Sequence, residues 1–71
     1  MTINQMLIKN IKAITNGDMS QHVFVYCNPQ NFYRVHGALL EIGRKHVTLI
    51  DDPSVPVDDT YVSAERLDRE I

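Results

Sequence analysis

Apolar positions in the first third of the chain recur at steps of three and four. Ile3, Met6, Leu7, Ile11 and Ile14 line one face of a helix, Asn4, Lys9, Asn10 and Lys12 occupy the others, and Ile8 is the apolar exception. Thr2 and Gln5 have the spacing of a capping box, in which side chain and backbone satisfy each other's orphan groups. Asn16-Gly17 tolerates the left-handed conformation that closes a last turn, so the pattern predicts a helix over 2–15.

From His22 the period changes to two. A strand is expected over 22–27, with Val23, Val25 and Cys27 on one face and Phe24 and Tyr26 on the other. Both faces are apolar, which predicts cover on both sides. Asn28-Pro29-Gln30-Asn31 reads as a turn. The stretch 32–42 reads as a long second strand with Val35, Gly37 and Leu39 on one face, its inner glycine marking a bend. Gly43-Arg44-Lys45-His46 is a polar turn into a third strand over 46–51. Pro53 and Pro56 make 52–59 a loop, followed by strands over 60–64 and 67–71 with a break around Glu65-Arg66. The good helix formers near the end leave a helix over 63–71 as the alternative. The expected fold is mainly β: an N-terminal helix, then a five-stranded, strongly bent antiparallel sheet closing as a small SH3-like barrel, in one domain over 1–71.

Composition narrows the function. Seventy-one residues, 44% hydrophobic, make a core with a thin stability margin, and a single cysteine excludes an internal disulfide framework. Partner subunits are the remaining support. A net charge of −2 is too small to steer a polyanion, so any nucleic-acid site has to be a local basic patch. No apolar run approaches the ~20 residues of a membrane span, and the N-terminus lacks the pattern of a signal peptide. The expected compartment is the cytoplasm, where a lone reduced cysteine is at home.

Gly37-Ala38-Leu39 and, ten residues beyond Leu39, Leu49-Ile50-Asp51 resemble the first signature of the Sm-like (LSm) family. Tyr61-Val62-Ser63-Ala64-Glu65-Arg66-Leu67 is similar to the second: an apolar pair, a polar break and an apolar start to the last strand. The resemblance implies a divergent, phage-like or mobile-element Sm-like protein. It implies a homo-oligomeric ring of five to seven protomers, closed by strand addition, with single-stranded RNA at loops facing the pore. Two departures matter. Arg44, Lys45 and His46 stand where the family's loop usually carries an Asp and a Met-Asn pair. Ser63-Ala64 replaces the usual Arg-Gly, and Ala64-Glu65 the Lys-His pair of the bacterial RNA chaperones of this fold.

Candidate chemistry is sparse. Arg44, Lys45 and His46 could hold phosphate and stack on a base, against the plainer reading of a solvated turn. Arg66 faces the pore in the family, but could equally form a surface ion pair with Glu65, Asp68 or Glu70. Val62, Leu67 and Ile71 are the expected subunit-interface residues. Phe32 and Tyr33 read as core or interface more readily than as a stacking platform. His22, His36 and Cys27 lack the spacing of a metal site, and Asp51, Asp52, Asp58 and Asp59 lack that of a calcium loop. No metal, cofactor or catalytic group is expected, and the chain does not read as an enzyme. The leading expectation is a ring that binds single-stranded RNA weakly and with little sequence selectivity. The alternative is a small non-enzymatic interaction module or regulator, docking on a larger protein partner without nucleic acid.

Overall fold

The computed structural model describes residues 2–64. Helix α1 spans Ile3–Thr15, strand β1 Val23–Cys27, helix α2 Phe32–Ile42, strand β2 Val47–Asp51 and strand β3 Thr60–Ser63. A 3-10 turn over Pro29–Asn31 leads into α2.

Local chemistry explains the ends of α1. Thr2 Oγ1 accepts from the Gln5 N–H at 3.2 Å, and Gln5 Oε1 accepts from the Thr2 N–H at 2.9 Å, completing the capping box. Asn16 at φ 54° and Gly17 at φ 84° close the other end, both returning N–H groups to the Lys12 carbonyl. Near that end the buried Thr15 hydroxyl donates to the Ile11 carbonyl at 2.7 Å.

The sheet is mixed and open, in the order β2-β1-β3. Central β1 runs parallel to β2, with Val25 opposite Leu49, and antiparallel to β3, with Val25 opposite Val62. Parallel neighbours need a crossover, and α2 supplies it. The core lies between one sheet face and both helices. It gathers Leu7 and Ile11 of α1, Val35, Ala38 and Leu39 of α2, Val23, Val25 and Cys27 of β1, and Val62 of β3.

This architecture corrects the expectation of a five-stranded antiparallel barrel. The stretch 32–42 is a helix, not a bent strand, and the sheet of the described residues has three strands and does not close. The buried positions explain why. Val35, Ala38 and Leu39, with Phe32 and Ile42 packed at the margin, recur with helical period, whereas Gly37 lies on the exposed side. Asn28 nucleates the turn into α2: its Oδ1 accepts from the Gln30 N–H at 2.9 Å, and Pro29 follows at the first helical position. Its amide also donates to the Val55 carbonyl at 2.9 Å, tying the 52–59 loop to the start of the crossover. Gly43 at φ 70° terminates α2. The expected strand over 67–71 lies outside the described residues.

Candidate functional site

Three places on this frame deserve chemical scrutiny: the 43–46 turn, the sheet face away from the helices, and a cavity beside α1.

The turn does not present three cations. Gly43 reverses the chain after α2 so that Arg44 is turned inward, leaving it only 8% exposed. Its Nη2 donates to the Gln21 carbonyl, its Nη1 lies 3.4 Å from Met19 Sδ, and its Nε has no partner. Lys45 and His46 are exposed, and the His46 carbonyl accepts from the Val23 N–H at 2.9 Å. Of the three residues expected to contact RNA together, the structure therefore leaves two at the surface. Arg66, the fourth, lies outside the described residues, as do Leu67 and Ile71. Val62 is 9% exposed and belongs to the protein's own core, where the sequence suggested a subunit interface.

The second place follows from strand alternation. Val23, Val25 and Cys27 point to the helices, so Phe24 and Tyr26 point away. Cross-strand register puts Thr48 and Ile50 on one side of them and Tyr61 and Ser63 on the other. None of these six carries a charge. Tyr26 and Tyr61 meet with ring centroids 5.9 Å apart, and His22 tilts against Phe24 at 5.0 Å while its Nε2 bonds Thr48 Oγ1 at 2.7 Å. Both helices occupy the opposite side of the sheet. On this second face Tyr26 and Ser63 are nonetheless buried, 3% and 8% exposed, while Tyr61 is 49% exposed.

The third place went unseen in the sequence. A cavity of about 280 Å³ opens between α1, the loop after it and the end of α2, lined by Ile8, Ile11, Ile42, Met19, Lys12 and Arg44 among others. Its one trace in the sequence is Ile8, the apolar residue outside the helical stripe.

Two carboxylates and the thiol serve structure. Asp52 accepts from the Ser54 N–H and hydroxyl at 3.0 and 2.7 Å, shaping the proline loop. Asp18 does the same for Ser20 at 2.9 and 2.7 Å, and the Ser20 hydroxyl followed by its N–H holds the Asp18 carboxyl below its ordinary range. Burial, and then the charge of Asp51, pushes the Cys27 thiol up, which keeps it protonated and inert. Among the described residues no three His, Cys, Asp or Glu side chains come together to hold a metal, and no helix is long and apolar enough to cross a membrane.

No family model matches the chain, and neither a curated protein nor a solved structure matches it.

Proposed function

We propose that this chain is a non-enzymatic interaction module that docks on protein through the sheet face opposite its helices. The observation that carries the reading is the make-up of that face: Phe24, Tyr26, Thr48, Ile50, Tyr61 and Ser63, aromatic at its centre and without a charge. Phosphate binding calls for cations on the contact surface, and this surface has none. An uncharged, aromatic-rich patch instead suits the dry centre of a protein interface. A second copy of the chain is the partner it fits best. A neutral face meets itself without repulsion, two sheets stack face to face about 10 Å apart, and a chain of this size gains from sharing its core.

Sedimentation equilibrium from low to high micromolar concentration tests this, with Tyr61→Glu as the perturbation. Tyr61 is half-exposed, so the change leaves the monomer folded while placing a charge at the centre of the contact. Self-association of the native chain should weaken by ~30-fold or more, as loss of a central aromatic anchor does. A native chain that stays monomeric throughout, or a variant that associates equally well, rejects the self-docking reading.

The partly exposed rings also favour a second reading, in which bases of single-stranded RNA stack on Phe24 and Tyr61 while Lys45 and His46 hold phosphate at the edge of the sheet. With two phosphates neutralised, the logarithm of the affinity should fall against that of the salt with a slope of about −1.4. Titration of labelled oligouridine and oligoadenine at several salt concentrations, with Lys45→Ala/His46→Ala as control, decides this. Binding that survives the double change with its salt slope intact removes the reading.

A further inference from the structure

We infer that the cavity beside α1 is a binding site for a small carboxylate with a short apolar tail. Its walls combine an apolar surface with two cations. Ile8, Ile11, Ile42 and Met19 form an apolar surface, and Ile8 and Met19 are large side chains otherwise left open to water. Into the same space face two cations, Lys12 and Arg44, and no acidic residue contributes to the lining.

Arg44 is the decisive group. The residue is more than nine-tenths buried, yet of its five N–H donors the Nε is unpartnered and Nη1 reaches only the Met19 sulfur, a weak acceptor. The Gln21 carbonyl is its one strong acceptor. A buried charge without an anionic partner is costly. Asp18, on the adjoining loop, feels the Arg44 charge, which helps to lower its carboxyl, but it shares no hydrogen bond with Arg44, and its Oδ1 accepts from the Ser20 N–H and hydroxyl. The Thr15 hydroxyl at the cavity wall gives its proton to the Ile11 carbonyl. A carboxylate brought from outside would give Nη1 a stronger acceptor than the Met19 sulfur, with Lys12 adding a second positive charge at the rim.

Size sets the rest of the ligand. At about 280 Å³ the cavity is at the small end of ligand pockets, which suits a short chain such as that of octanoate. A ligand of that size places its head at Arg44 and its chain along Ile8, Ile11 and Ile42.

The test is a titration of the full chain with octanoate, 1-octanol and acetate, followed by amide shifts in 1H–15N spectra. Octanoate should saturate shifts at Ile8, Ile11, Lys12, Gly17, Met19 and Arg44, binding ~10-fold or more tightly than octanol, which has the tail without the charge. Acetate, with the charge and no tail, should leave them nearly unmoved. Arg44→Met keeps an unbranched apolar stem and should erase the advantage of octanoate over octanol. Should that variant fail to fold, Lys12→Gln on the exposed side of α1 serves instead, weakening octanoate by ~3-fold. Equal affinity for octanoate and octanol overturns the assignment. So does an acetate response matching that of octanoate, the absence of saturable shifts at the cavity, or octanoate binding that neither variant alters.

Discussion

Replacing Gly37 by alanine distinguishes the crossover helix from a bent strand in a single measurement. Gly37 is the sixth residue of α2, solvent-exposed, and a Cβ built on it meets no atom within 4 Å. The substitution therefore adds a methyl group without a clash. In a helix interior, alanine is more favourable than glycine by about 1 kcal/mol, partly because glycine leaves the unfolded chain more freedom to lose. For a domain of this size, 0.5–1 kcal/mol corresponds to a rise in Tm of about 2–8 °C. Urea unfolding followed by circular dichroism at 222 nm should show a higher midpoint with an unchanged slope, since the surface exposed on unfolding stays the same. Gly37→Val sharpens the test, because a β-branched residue falls below alanine by roughly 0.5 kcal/mol in a helix and ranks above it in a strand. Destabilisation by alanine, or valine outranking alanine, would refute a helix over Phe32–Ile42 and the parallel pairing that depends on it.

Three further outcomes follow from the core and the turns. Leu7→Ala, at a fully buried site facing the sheet, should cost about 2–5 kcal/mol, comparable with the whole stability of so small a core, and abolish a cooperative thermal transition at physiological temperature. A sharp transition within a few degrees of the native one would contradict that placement. Cys27 should react with a thiol reagent at mildly alkaline pH far more slowly in the native chain than in urea, because it is buried and its thiol is pushed up; equal rates would place it at the surface. The Asp18 carboxyl carbon should titrate below its ordinary value of 3.8, and Ser20→Ala should return it towards that value. Because the folded value is the depressed one, the contribution of this turn to stability is present above 3.8 and is lost as pH falls through the lowered midpoint. An unmoved midpoint in Ser20→Ala would remove the hydroxyl as its cause.

Helix α1 and strand β1 are legible in the residues because their signals are short-range. Thr2 and Gln5 satisfy one another within a single turn, Asn16-Gly17 ends the helix through its own backbone preference, and the alternation from Val23 to Cys27 spans five residues. The stretch 32–42 is where that legibility fails. Val35 and Leu39 satisfy a period of two as readily as one of 3.6, and Gly37 fits a bent strand as well as an exposed helical position. Only contact with α1, including the Asn4 to Glu41 hydrogen bond, and the packing of Val35, Ala38 and Leu39 on β1 select the helix. That one choice changes everything downstream: a helical crossover makes β2 a parallel neighbour of β1, where a strand would have led to an antiparallel sheet.

The candidate site divides along the same line. Residue type alone marks Arg44, Lys45 and His46 as a basic turn, and marks Phe24 and Tyr26 as apolar on the second face of their strand. Which way each side chain points depends on groups far along the chain. Arg44 turns inward because Gln21 and Met19, 23 and 25 residues away, wait there to receive it. The face bearing Phe24 and Tyr26 lies away from the helices because Val23, Val25 and Cys27 draw both of them to the other side. Periodicity and capping are written by neighbours within about four residues, and so survive in the sequence. Burial and charge placement arise from distant segments meeting, and take form only when the chain closes on itself.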